Sequence, residues 1–356
     1  MIDTIPFQQM LEDLSKDQEP FLLLSAVNYE ERSTTVAKRL IDHFADSPQK
    51  LNLTTFRLVG SRPEPFSVLE IIKREYEEEL RRFAAERRRR LDVQQVVHPA
   101  SLARAQTLLS HGMTDSLVLD ISTMPTRMLT LLTESALGML SRDSSPLMKV
   151  YFVYTPPGHL IARPGLGPFS LMPTELLSHR DILDSTPGRM HVSLLTFLGP
   201  EGFEARLAID SVAMPDSFVT VLVDMERGGL PGAQSRLAGN MSVIQDSLEG
   251  NVELGYFFSQ RDALRLALDR ATRAAVLCRE QPEIQHGFIV APFWPPFAVT
   301  IGCIARAAFE RRAAQIAPET EVFSDTMVLS QHQYVSMFSR GATEPEVMTL
   351  DVDWAE

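Results

Sequence analysis

The chain reads as an α/β protein built from two Rossmann-like parallel-sheet halves, and three observations predict this. Short β-rich runs alternate with longer helical segments almost from the start, the pattern of parallel strands joined by helical crossovers. Several runs, such as FLLLSAV at 21–27 and KVYFVY at 149–154, carry no polar alternation, as expected of strands buried on both faces. After a stretch rich in proline and glycine at 156–190, the alternation starts again.

In the first half, a helix is expected at 5–15, a strand at 21–27, a helix at 32–45 and a strand at 53–59. A long charged helix at 66–90 leads to a strand at 93–97, and a helix at 100–111 leads to a strand at 116–121. A helix at 126–141 and a strand at 149–154 complete this half, giving an N-terminal domain at 1–155. The 156–190 stretch, with TPPGHLIARPGLGPF and a later Pro187-Gly188, reads as a linker or surface excursion. The second domain, 191–338, has strands at 192–198, 218–224, 252–258, 287–293 and 321–329, with helices at 203–212, 232–248, 260–278 and 297–314. Residues 339–356 are expected to form a loosely ordered tail.

The composition supports folding and narrows the partners. With 356 residues, 44% hydrophobic and 22% charged, the chain can bury a sizeable core. Thirty-four basic residues against forty-six acidic give a net charge of −12, which opposes non-specific attraction to nucleic acid or to an anionic membrane. Two cysteines, Cys278 and Cys303, provide neither a disulfide framework nor a four-sulfur metal site, and a reducing cytoplasm fits them. The acidic first thirty residues lack the pattern of a secretory signal. The apolar run at 21–27 falls well short of the roughly 20 residues of a membrane span.

A short signature recurs where each half begins. The first strand runs into Tyr29-Glu30-Glu31-Arg32, and the corresponding strand of the second half runs into Phe203-Glu204-Ala205-Arg206. Both read aromatic-Glu-x-Arg after an apolar strand and open a helix, which suggests internal duplication of a Rossmann-like unit.

In an open parallel sheet, ligands bind beyond the C-terminal ends of the strands, where helix N-termini offer unpaired N–H groups. Four segments occupy such positions. The first, Asn28 to Thr35, brings Asn28, Tyr29, Glu30, Arg32, Ser33 and Thr34 to a helix start, where they could hold a phosphate or simply cap the helix beside a solvated ion pair. The second contains Asp120, Ser122, Thr123, Pro125 and Arg127. Asp120 there could be a general base, a ribose ligand or a magnesium ligand, or the turn could be a plain cap. The third places Asp224 before Gly228 and Gly229, in what is otherwise an ordinary turn. The fourth, Ala291 to Phe297, carries Trp294, which could stack on a nucleobase or pack in a rigid proline turn.

Explicit catalytic signatures are absent: there is no P-loop, no strand-linked G-x-G-x-x-G, no H-E-x-x-H and no G-x-S-x-G. Gly165 and Gly167 lie in the proline-rich stretch, and the eight histidines show no ligand spacing, so no metal site is expected. Glu77 and Arg81, like Glu78 and Arg82, are helix pairs four residues apart, and 73–90 reads as a solvated helix. Its arginines from Arg81 to Arg90 are the one segment that could dock a nucleic acid or an acidic protein.

The leading expectation is a two-lobed protein that binds a nucleotide or other phosphorylated small molecule, as a sensor or as a nucleotide-transforming enzyme, with no particular cofactor identified. Arg32 and Arg206 would hold charge, Ser33, Thr34, Ser122 and Thr123 would give hydrogen bonds, and Asp120 or Glu30 would act as acid or base. The alternative is a non-catalytic interaction subunit of a cytoplasmic assembly, with a protein partner or a homodimer and with the aromatic-Glu-x-Arg pairs as structural ion pairs between the lobes.

Overall fold

A computed structural model describes residues 2–28, 30–59, 68–89, 91–97, 109, 114–142, 145–162, 176–177, 190–198, 203–212, 217–225, 243, 245–246, 249–250, 252–292, 295–329 and 337–354. The chain divides into two compact units, one formed by 1–172 together with 333–356, the other by 173–332. The second unit is therefore inserted in the first.

The first unit contains β1 (Ile2–Pro6), α1 (Phe7–Lys16), β2 (Phe21–Val27), a 3-10 turn (Glu31–Thr34), α2 (Thr35–His43), β3 (Leu51–Val59), α3 (Val68–Glu86) and β4 (Asp92–Val97). β5 (Ser116–Asp120), α4 (Thr126–Leu140), β6 (Lys149–Tyr154) and β7 (Pro157–Ala162) follow. The second unit holds β8 (Leu176–Leu177), β9 (Met190–Phe197), α5 (Phe203–Val212), β10 (Phe218–Asp224), β11 (Val252–Phe257) and α6 (Gln260–Glu280). It ends with β12 (Gln285–Ala291), α7 (Pro296–Ile316), β13 (Val322–Thr326) and β14 (Val328–Leu329). The chain then returns to the first unit as β15 (Met337–Ala342) and β16 (Glu346–Asp351).

The first unit is organised by a seven-stranded sheet of order β1-β16-β6-β5-β2-β3-β4. Its strands β4, β3, β2, β5 and β6 are parallel, while β16 runs antiparallel to both β6 and β1. Every residue of β2 and β5 is buried, because helices cover both faces of a central parallel strand. On α1 the buried residues Phe7, Met10, Leu11 and Leu14 form one apolar stripe, and on α2 Val36, Ala37, Leu40 and Ile41 do the same. These residues meet β2, β3 and β6 in a single buried cluster.

The second unit has a five-stranded sheet of order β11-β10-β9-β12-β13, parallel throughout. Each parallel core thus places its first strand in the middle, its second and third to one side, and its fourth and fifth to the other. Ser259 caps α6, its hydroxyl accepting from the Asp262 amide at 3.1 Å. α7 opens with Pro296, suited to the first helical turn, and buries an unbroken run from Phe297 to Ala305.

The helix expected at 5–15 forms as α1, and it is preceded by β1, whose Ile2 and Ile5 pair with Leu350 and Val347 of a segment distant in sequence. Within the 156–190 stretch, β7 pairs antiparallel with β15. Two expectations are corrected. The tail is not loose: β15 and β16 lie in it, and β16 is an interior strand of the first sheet. That sheet is consequently mixed and not wholly parallel, since β16 re-enters beside β6 from the opposite direction. The helices expected at 100–111 and 232–248 fall almost wholly outside the described residues.

Candidate functional site

β2 and β5 are neighbours, yet the chain leaves β2 towards β3 on one side and β5 towards β6 on the other. Their loops therefore part at the C-terminal edge, the position where open α/β sheets bind ligands. The segments after β2 and after β5, far apart in sequence, meet here. The Thr123 hydroxyl donates to the Ala26 carbonyl at 2.9 Å, and the Asn28 amide donates to the Thr123 carbonyl at 3.3 Å.

Asp120 ends β5 and is 2% exposed. Its Oδ1 accepts from the Ser122 amide at 3.1 Å and from the Ser122 hydroxyl at 2.5 Å. Ser122 Oγ in turn accepts from the Thr155 amide at 2.9 Å, which ties the turn to the end of β6. Oδ2 is buried and has no hydrogen-bond partner among the described residues. Burial pushes the carboxyl up to about 7, against the opposing pull of the Ser122 hydrogen bonds and the Arg32 charge. A carboxyl titrating there can exchange a proton at neutral pH, as general acid–base chemistry requires.

Arg32 does not present its charge outward. Its Nε donates to Glu30 Oε2 at 2.6 Å, its Nη1 donates to the Thr155 carbonyl at 2.9 Å, and its guanidinium lies 5.6 Å from the centre of the Tyr154 ring. Burial opposes the charge, but Tyr154 and Glu30 outweigh it and hold the guanidinium above its ordinary range. The pair is mostly shielded, with 8% and 13% of the two side chains exposed. Arg32 thus joins the 3-10 turn to the end of β6. Ser33 and Thr34 are also turned inward, their hydroxyls donating to the Asn28 and Glu31 carbonyls, each at 3.4 Å. Arg127 is half-buried in the first turn of α4.

The remaining candidates lie in the second unit and do not form a matching site. Arg206 pairs with Asp210 at 2.8 Å and with Asp246 at 2.5 Å and is 40% exposed, unlike the buried Arg32. Both arginines form their ion pairs within their own unit. Asp224 is buried at the end of β10, whose counterpart by strand order is β3 and not β5, so the two acids occupy different places. Tyr29, Trp294 and the side chain of Glu204 lie outside the described residues.

Tyr154 and Thr155 also meet here, in contact with Arg32 and Ser122, and neither was singled out from the sequence. The signal was present, since KVYFVYT is another apolar strand with a polar end, but the prolines that follow marked it as the start of a linker.

The long charged helix is less solvated than its sequence suggests. Glu77 of α3 pairs with Arg57 of β3 at 3.2 Å as well as with Arg81 at 2.9 Å. Arg87 pairs with Asp42 at 2.8 Å, and Arg89 donates to the carbonyls of Phe44 and Ser47. Three of the arginines between 81 and 90 are therefore engaged by the first unit itself.

Elsewhere in this unit an acidic cleft of about 550 Å³, lined by residues including Asp13, Asp17, Asp115 and Lys149, opens at the N-terminal edge of the sheet. Among the described residues, no group of His, Cys, Asp and Glu could hold a metal ion, and no helix is long and apolar enough to cross a membrane. Cys278 and Cys303 are buried free thiols, and burial pushes Cys278 up to about 11, which makes it a poor nucleophile. The sequence matches no protein-family model and no curated protein.

Proposed function

We propose that the C-terminal edge of the first sheet binds a nucleotide or other phosphorylated small molecule, as a sensor or as a nucleotide-transforming enzyme. The observation that carries this reading is the buried Asp120 carboxyl, with one oxygen lacking a hydrogen-bond partner among the described residues, at the divergence of β2 and β5. Burying such a group without a partner costs stability, so a ligand that supplies the partner recovers it. Asp120 would bond a ligand hydroxyl or serve as the acid or base, and Ser122 with Thr155 would position it. Asn28 and Arg127 would line the entrance, where the α4 N-terminus favours an anion. Arg32 is a positioning residue, because it is buried and its Nε and Nη1 already donate to Glu30 and Thr155.

The Rossmann-like description and the internal duplication belong to the same proposal. The common strand order of the two parallel cores supports them, while Arg32 and Arg206 differ in burial and in ion-pair partners.

A thermal-shift screen against mononucleotides, dinucleotide cofactors, sugar phosphates and cyclic nucleotides tests the reading. A ligand at a hundred times its Kd adds about 2.7 kcal/mol, a shift of several degrees. A shift present in the natural protein and lost in Asp120→Asn is the expected result. No shift with any compound rejects it. The reading as an interaction subunit rests on a different observation: Phe218, Tyr256 and Phe258 are 46%, 51% and 61% exposed on or beside β10 and β11 of the second unit. Light scattering on the purified protein and on its complexes from native extract would reveal a partner.

A further inference from the structure

Beyond the edge of the first sheet, the pairing of β6 with β16 continues as a separate two-stranded ribbon. Glu346 faces Tyr154 at the end of the sheet pairing, and Ala342 faces Pro157 where the β7–β15 pairing begins. Between them the Thr343 amide and hydroxyl both donate to the Pro156 carbonyl, each at 3.1 Å. Thr155, which accepts from Arg32 and donates to Ser122, is thus one residue from the base of the ribbon.

The ribbon packs on the 3-10 turn that carries Arg32, and two latches hold it. The Gly341 amide donates to Glu31 Oε2 at 3.1 Å. Gly341 sits at φ +72, a conformation that L side chains rarely adopt. On the next element, Arg39 of α2 grips Glu344 in a two-pronged pair at 2.5 and 2.7 Å. Beneath the ribbon, Arg32, Ser33 and Thr34 of the turn are buried, as is Asp120 at the end of β5. The whole second unit lies in the chain between β7 and β15.

We propose that the β7–β15 ribbon gates the Asp120 site. The proposal rests on the nucleotide-binding reading for the ligand alone, and the gate can be tested without one.

Hydrogen exchange on the full chain, comparing the natural protein with Arg39→Ala and Glu344→Gln, is the test. Both substitutions are on the surface and lie outside the binding residues, so the fold survives them. Release of the latch should speed exchange at least threefold at residues 31–34 and 120–124 as well as at 337–344, with β9 and β12 unchanged as a control. Faster exchange confined to 337–344 overturns the gate. Exchange is then repeated with AMP, ATP and NAD. A gate that opens in the variants while no nucleotide alters exchange supports the gate and removes the nucleotide-binding reading. Nucleotides that bind the natural protein and Arg39→Ala equally well overturn the gate and leave that reading standing.

Discussion

Asp120 makes the stability of the first unit depend on pH in a direction opposite to that of a salt-bridged carboxylate. Its folded value of about 7 lies above the ordinary 3.8, so between these limits the folded chain holds a proton that the unfolded chain has lost. Stability from this group is complete below the lower value, falls as pH rises, and levels off above the upper one. The slope reaches at most about 1.4 kcal/mol per pH unit. Urea unfolding of the natural protein and of Asp120→Asn between pH 4 and 8 should show this decline only in the former. Two curves of equal slope would refute the assignment. Arg32 gives a second prediction. Its removal leaves the Glu30 carboxylate and the Thr155 carbonyl without their buried cation, and breaking such a pair costs about 3 kcal/mol. Arg32→Ala should therefore lower the unfolding free energy by roughly that amount, whereas a solvent-exposed role would cost under about 1 kcal/mol. For the same reason Asp120→Asn is the cleaner probe of binding. The types and positions of these residues were legible in the sequence, but whether Arg32 faces a ligand or the interior was not. That depends on Thr155, more than a hundred residues away and brought close only by the pairing of β5 with β6.

At the scale of elements, close approach between α7 and β12 rests on a missing side chain. A Cβ at Gly302 would lie 2.6 Å from Val290 Cγ1 and 3.1 Å from the Pro292 ring. Overpacking of this kind costs about 1–3 kcal/mol, which exceeds the gain of roughly 1 kcal/mol from alanine in a helix. Gly302→Ala should lower the denaturation midpoint of the second unit, and an unchanged or raised midpoint would show that the helix can shift at no cost. The sequence located most elements well because burial on both faces leaves a local mark. Strands β2, β6 and β10 match their expected spans residue for residue. β1 and β16 left no such mark: IDTIP and EVMTLD mix apolar and polar residues, and neither pattern reveals its neighbour. Pro6 also suits β1, since an edge strand tolerates a missing amide donor.

For the molecule as a whole, the decisive feature is that the C-terminal segment completes the first unit after the inserted second one. A chain ending at residue 345 lacks β16, which hydrogen-bonds to β6 on one side and to β1 on the other. Val347, Met348 and Leu350 are buried there. Such a truncation should abolish cooperative unfolding of the first unit, measured by denaturant titration followed by far-ultraviolet circular dichroism. A truncated chain that retains two full transitions would show that β16 is dispensable. This arrangement also makes folding of the first unit depend on contacts between opposite ends of the chain, which carry a loop-closure cost.

The sequence by itself determined the α/β class, the restart of the pattern after residue 190, and the strand ends at which polar groups gather. Each of these is written in local periodicity and burial, within reach of a few neighbouring residues. The tertiary structure alone decided that β2 adjoins β5, that Arg32 turns inward to Thr155, and that the last residues return to the first sheet as β16. Those outcomes depend on which strands pair across tens to hundreds of residues, and backbone hydrogen bonds between strands carry no side-chain signature that names the partner.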